Sequence, residues 1–233
     1  MKFETIPTLV FLGILPVLLA LGFWQLDRAE EKKAYLELLN RNNAEAAITL
    51  TPATADTVDS LKFRRVTAAG HYDTGHQFLV DNQISDGKPG YVVLTPFKLN
   101  GGDKAVLVNR GWIPLTRDRS LLPDISIKEL PSTVNGRINS FPSVGIKLPG
   151  AEKPTSGWPA VVQVVDAQIL AKRLGYPLFG FMIELDKNLP EGYKREWREP
   201  AIMPPQQHIA YAFQWFGLAV TLALLFVWYS RIK

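Results

Sequence analysis

The sequence predicts an α+β membrane protein: two transmembrane helices flanking a β-rich extracytoplasmic domain, an antiparallel sandwich or barrel, with one or two short helices. Three observations predict it. The chain has 233 residues, 47% hydrophobic and 21% charged, yet residues 5–26 and 209–230 contain no Asp, Glu, Lys, Arg or His. Each of these runs is long enough to cross a bilayer core, which takes about 20 apolar residues as a helix. The residues between them carry 23 of the 26 basic and 21 of the 22 acidic side chains. From Phe63 onward, short runs rich in Val, Ile, Leu and aromatics alternate with clusters of Gly, Asp, Asn and Pro, which is the spacing of strands and turns.

The elements follow in order. Residues 1–8 form a cytoplasmic tail and residues 9–26 the first span, with Pro16 as an expected kink and Trp24 as an interfacial anchor. Ala20-Leu21-Gly22 offers a small-x-small cleavage pattern. The helical pattern nevertheless continues without a break into Asp27-Arg28-Ala29-Glu30-Glu31-Lys32-Lys33, which favours an uncleaved span. Residues 27–60 read as a helical extension and a loop, with Asn42, Asn43, Thr51 and Pro52 marking the loop. The β-rich domain occupies residues 61–203. Phe63–Tyr72 and Gln77–Ile84 flank Asp73-Thr74-Gly75 as a hairpin, and Tyr91–Leu99 and Lys104–Ile113 continue it as a meander. Thr133–Asn139, Val161–Val165 and Phe179–Leu185 are further strands. Asp166–Leu174 has helical spacing, with Asp166 as N-cap and Gly175 as its stop. The second span covers residues 208–229, edged by Tyr211, Trp215 and Phe216 at one end and Trp228 and Tyr229 at the other. Residues 230–233 form a basic tail.

Two spans put both termini on one side. Lys2, Arg231 and Lys233 mark that side as the cytoplasm, and the long central loop is then translocated. No Arg-rich, acid-poor leader precedes the first span, so a bacterial inner membrane is expected, with a periplasmic central domain. The net charge of +4, without a basic stripe, does not point to nucleic acid. The absence of cysteine excludes disulfides, thiol redox sites, iron–sulfur clusters and Cys-bound metals.

Few residues carry chemistry. His71, Asp73 and His76 lie within six positions, which reads either as part of a metal or enzyme site or as ordinary turn residues; a zinc site needs three or four convergent ligands. Asn109-Arg110-Gly111-Trp112 ends a strand and reads either as a cation–aromatic surface for a partner or as a structural turn with a buried Trp. The sharpest feature is Pro204-Pro205-Gln206-Gln207-His208. Helical geometry places Tyr211, Ala212 and Trp215 on the face of His208, and Trp24, Gln25 and Arg28 end the first span on the same side of the membrane. Such an imidazole is either an axial haem ligand or a helix-end anchor at the headgroups.

These motifs resemble the surfeit-locus protein 1 family. Gly22-Phe23-Trp24-Gln25-Leu26-x-Arg28-x-x-x-Lys32 is similar to its amino-terminal signature. Gly70-His71-Tyr72-Asp73 with Asn82-Gln83 resembles its second block, and Val108-Asn109-Arg110-Gly111-Trp112-Ile113-Pro114 its central motif. His208-Ile209-x-Tyr211-Ala212-x-Gln214-Trp215-Phe216 resembles its carboxy-terminal signature. The four blocks occur in the family's order, whereas residues 141–193 match only loosely. The resemblance implies a non-enzymatic assembly factor for cytochrome c oxidase, acting with the oxidase's catalytic subunit and other assembly factors. It implies transient binding of haem a, with His208 as axial ligand beside Tyr211, Trp215, Trp24, Gln25 and Arg28. Asn109, Arg110 and Trp112 are expected to form a partner surface. The alternative is an interaction scaffold that binds no haem.

Overall fold

The computed structural model describes residues 4–116, 121–128, 130–142, 149–197 and 203–232. The chain forms two compact units, residues 41–197 and the two terminal segments that flank them.

The terminal unit is a helix pair. Helix α1 spans Thr5–Ala44, running on through Pro16, and α4 spans Pro205–Ile232. At about 1.5 Å per residue they are roughly 60 and 42 Å long. Both contain windows long and apolar enough to cross a membrane, and almost all of that apolar surface is exposed. They run antiparallel. Phe11 stacks on Phe226 with ring centroids 4.2 Å apart, and Phe23 meets Phe216 edge-on at 5.3 Å. Tyr229 donates to the Glu4 carboxylate over 2.7 Å. Gly22 lets the backbones close up, since a Cβ there would stand 2.4 Å from the Phe216 ring. Of the basic residues expected to mark the cytoplasmic side, Lys2 and Lys233 lie outside the described residues.

The expected helical extension exists and is longer than predicted. Asn42 and Asn43, read as a loop, lie in the last turns of α1. Asn42 is buried there because its amide donates to the carbonyls of Ser60 and Lys62, and those tertiary bonds override a poor helix propensity. The segment expected to finish as a loop also holds strand β1, Ile48–Leu50, and the single-turn helix α2, Val58–Leu61.

The β unit is a closed barrel rather than a sandwich. Its strands are β2 (Arg65–Tyr72), β3 (Phe78–Ser85), β4 (Lys88–Leu99), β5 (Ala105–Pro114), β6 (Thr133–Asn139), β7 (Ala160–Val162) and β8 (Leu178–Leu185). The order β2-β6-β8-β5-β4 closes through a β4–β2 pairing, giving five strands around one core. Alternate residues point inward, among them Val66 and Ala68, Phe97 and Leu99, Val106 and Val108, Val134 and Ile138, and Phe179, Phe181, Ile183 and Leu185. Strands β4 and β5 are buried on both faces. Their outer face packs with β3, β7 and helix α3 (Ala167–Leu174) around Phe78, Leu94, Leu107 and Leu170. Helix α3 starts and stops where its sequence predicts: Asp166 accepts from the amides of Gln168 and Ile169, and Gly175 ends the helix in the left-handed region.

The predicted hairpin at Asp73-Thr74-Gly75 is not one. Strands β2 and β3 do not pair; both lie antiparallel along one edge of β4, end to end. Tyr72 faces Phe97, and the next paired residue, Phe78, faces Leu94. The five residues between them make an excursion from what is otherwise a continuous edge. The true meander is β3-β4-β5, whose first turn is the two-residue Asp86-Gly87, both at positive φ. The β unit's two ends leave on one side: Asn43 and Trp197 line the same groove with Arg65 and Arg137, and the Trp197 indole donates to the Leu185 carbonyl over 2.8 Å.

The excursion is held by Asp73, whose side chain is 11% exposed. It accepts from the Tyr176 hydroxyl at 2.7 Å, contacts His76 Nδ1 at 2.8 Å and pairs with Lys98 at 3.3 Å. Burial pushes its carboxyl up, but the hydrogen bonds from Tyr176 and His76, with the His76 and Lys98 charges, outweigh that and hold it below the usual carboxylate value. A depressed pKa means stability that is fully present above the unfolded value near 4 and is lost as pH falls through the lower folded value. Asp73→Asn is therefore expected to lower stability at pH 7 and to flatten the acid limb of the stability–pH curve below about pH 4, as read from urea midpoints at pH 7 and pH 3.

Candidate functional site

One candidate lies where α4 begins. Pro205 opens the helix, where its missing N–H costs nothing. The buried stripe of α4 then runs Pro205, His208, Ala212 and Ala219. His208 is 9% exposed, and its Nδ1 lies 2.8 Å from Gln25 Oε1 on α1. An amide oxygen only accepts, so Nδ1–H is the donor, and in the neutral ring the lone pair is on Nε2. Nε2 is buried and, among the described residues, has no hydrogen-bond partner. Leaving a polar atom buried and unpaired costs about 1–3 kcal/mol, so its retention asks for an explanation. One turn further along each helix the buried residue is small, Ala29 on α1 and Ala212 on α4.

The other residues expected here divide between faces. Trp24 is half exposed and stands under the Arg28 guanidinium at 5.8 Å, while Arg28 is paired with Glu31. This cation–aromatic pair lies on the exposed side of α1, away from the Gln25 face. Trp215 is half-buried, but Tyr211 is exposed. The predicted face is thus rotated: Ala212, four residues on, shares the buried stripe of His208, and Tyr211, three residues on, stands at its flank.

Of the residues expected to form a partner surface, Asn109 and Arg110 are buried and Trp112 is half-buried. Arg110 is 1% exposed and Asn109 3%. The cause is a bulge: Val93 pairs with Gly111 and Leu94 with Asn109, so Arg110 is the extra residue. Gly111 adopts φ +110, and its N–H is held by Asn109 Oδ1 at 3.0 Å. The bulge turns Arg110 inward. Its Nη1 donates to Gln77 Oε1 and to the Ile125 carbonyl, both at 2.9 Å, and its Nε to the Glu191 carbonyl at 2.6 Å. The Glu191 carboxylate lies 3.6 Å from Nη2 and the Tyr193 ring 5.2 Å from Cζ. Burial pulls the guanidinium below its usual pKa, while Tyr193, Tyr72 and Glu191 pull it back up. Burial likewise pushes the Tyr72 phenol up to about 12, with Arg110 and Arg195 opposing. Trp112 lies across Gly90, and its indole donates to the Gln83 carbonyl over 2.8 Å. Sequence reasoning missed Gln77, Thr95, Glu191 and Tyr193 as the Arg110 environment. The Asn-Arg-Gly order was the available signal, since that glycine permits the bulge.

The third constellation separates. His71 is exposed on β2 opposite Lys98, whereas His76 pairs with Asp73. Among the described residues no group of three or more His, Asp and Glu is placed to hold a metal ion.

Arg110→Met is expected to remove the guanidinium's bonds to Gln77, to the Ile125 and Glu191 carbonyls and to the Glu191 carboxylate, costing roughly 3 kcal/mol. For a chain of this length that is roughly 6–12 °C in Tm, measurable by near-ultraviolet circular dichroism of the detergent-solubilised protein. Arg110→Lys is expected to recover little of it, because an ammonium cannot reproduce the fork of donors.

Comparison with known proteins places this chain. The model of the SURF1 family matches residues 12–220, a stretch that includes Gln25, Arg110 and His208. A SURF1-like protein of Rickettsia bellii is 32% identical over 227 residues, covering 92% of this chain and 87% of its own length. One from Rickettsia felis is 31% identical, covering 96% of each. Surfeit locus protein 1 of Arabidopsis thaliana is 24% identical over 91% of this chain and 74% of its own length. The chain belongs to the SURF1 family.

Proposed function

We propose that this protein is an assembly factor for the haem-copper cytochrome c oxidase, which holds haem a at the outer rim of the inner membrane and aids its insertion into the oxidase's catalytic subunit. Membership of the SURF1 family supports the oxidase assembly role, which the family is known for in general. The antiparallel helix pair supports a two-span membrane anchor with both termini on one side; in this reading that side is the cytoplasm, and the β unit is periplasmic and meets the catalytic subunit and other assembly factors. The single observation behind the haem reading is the buried, unpartnered Nε2 of His208 with its Nδ1–H given to Gln25. That is the state of an imidazole ready to ligate, since a metal-bound histidine has its second nitrogen tied to an acceptor.

The residues present fit the group. His208 would hold the iron through Nε2, Gln25 would orient the ring, and the buried residues one turn along each helix, Ala29 and Ala212, are small. Haem iron would satisfy the Nε2 lone pair that the protein leaves unpaired. The half-buried Trp215 and the exposed Trp24, Arg28 and Tyr211 offer ring faces and one cation at the same end of the helix pair. One strong protein ligand suits a carrier better than two, because its cargo must leave.

The test is a visible spectrum of the protein purified in mild detergent from cells that make haem a. The wild type is expected to show a Soret band and a reduced α-band near one haem per chain, with both lost or displaced in His208→Ala. A colourless wild type that still co-purifies with oxidase subunits would overturn the haem reading and leave a haem-free scaffold.

A further inference from the structure

We propose that Gln25 is the positioning residue of the His208 site: its amide oxygen fixes the imidazole as the Nδ1–H tautomer and presents Nε2 as a neutral donor of moderate strength. The inference deepens the haem reading above and rests on it for its second half.

The contact is specific. Gln25 and His208 are 183 positions apart in sequence and on different helices, and Nδ1 and Oε1 meet at 2.8 Å. His208 could satisfy Nδ1 from its own helix only poorly, since the first turn of an α-helix offers free N–H donors rather than acceptors. The acceptor must come from elsewhere, and Gln25 supplies it. An imidazole ring can be placed two ways about its Cβ–Cγ bond, and the bond to Gln25 selects one. It also decides which nitrogen keeps its lone pair.

The chemical identity of the acceptor matters as much as its place. Ligating histidines give their second N–H to a carboxylate, a carbonyl or water, and the more basic the acceptor the stronger the ligand becomes. A carboxylate at position 25 would keep the Nδ1–H bond but pull harder on its proton, giving the ring partial imidazolate character and a stronger Nε2 donor. The amide oxygen carries no charge, so the ring stays a neutral donor. The nearest carboxylates along α1 are Asp27, Glu30 and Glu31, all exposed, and Glu31 is engaged by Arg28. Gln25 thus sets a binding strength that holds an iron and still releases it.

The first arm uses haem-free protein in detergent, prepared from cells that make no haem a. Histidine-selective nitrogen-15 correlation spectra, with the His208 signals assigned by their loss in His208→Ala, are expected to show Nδ1–H in the wild type and in Gln25→Glu. Gln25→Leu is expected to shift the population towards Nε2–H. An Nε2–H wild type, or a pattern unchanged in Gln25→Leu, overturns the proposal whatever the haem result. The second arm uses haem-loaded protein. Gln25→Leu is expected to weaken haem retention roughly 10–100-fold, whereas Gln25→Glu retains haem and lowers its midpoint potential. Equal potentials and equal retention in all three forms overturn the tuning role. A colourless wild type overturns the haem reading alone, and the tautomer arm still decides whether Gln25 sets the ring. Near-ultraviolet circular dichroism shows which variants keep the wild-type fold, and Gln25→Glu keeps an acceptor in place if Gln25→Leu does not fold.

Discussion

A guanidinium held out of water dictates how the β unit is built. Charge in a protein interior is tolerated only when donors and acceptors close around it. The bulge opposite Val93 and Leu94 exists to deliver Arg110, and Gly111 at positive φ exists to allow the bulge. Gln77, at the foot of the β2–β3 excursion, accepts from Arg110 and is itself fixed by the Thr95 hydroxyl at 2.9 Å. The segment around Glu191 and Tyr193 is drawn back against β5, where the Tyr193 amide donates to the Arg110 carbonyl over 2.7 Å. One side chain therefore ties together four stretches of chain that share no sequence neighbourhood.

The helix pair obeys the opposite logic. Its apolar contacts are ring on ring and glycine against ring. Among the described residues, polar contacts cross it at both ends: Tyr229 with Glu4 at one, and His208 with Gln25 at the other. Arg110 Nε and Nη1 find acceptors, whereas His208 Nε2 finds none among the described residues. The Tyr72 hydroxyl in the barrel core is likewise without a hydrogen-bond partner among the described residues, but an imidazole differs from it in keeping a lone pair that can ligate.

Much of this was legible in sequence because the signals were local. Two uncharged runs gave the helices, Asp166 and Gly175 bracketed α3, and Thr133–Asn139 was a strand from end to end. The errors came where distant residues decide. Asp73-Thr74-Gly75 has the composition of a hairpin turn, and only the length of β4 shows that β2 and β3 share one of its edges. Asn42 and Asn43 have the composition of a loop, and only the carbonyls of Ser60 and Lys62 make them helical. Asn109-Arg110-Gly111-Trp112 carried the right signal for a bulge, but its direction depended on Gln77, Ile125 and Glu191. At the candidate site, the gathering of His208 and Gln25 at one end of the helices followed from two spans of opposite direction. That they meet at 2.8 Å, and that Tyr211 falls to one side, depends on a helix rotation that no periodicity reveals.

The groove shared by Asn43 and Trp197 has a consequence for how the chain assembles. Bringing two helices together across a flexible segment as long as residues 41–197 carries an entropy that grows with the logarithm of the segment's length. A folded insert whose ends emerge together removes that dependence. Once the barrel has formed, α1 and α4 are joined, for the statistics of their encounter, by little more than a short connector, and the barrel could grow or shrink at its far loops without changing that encounter.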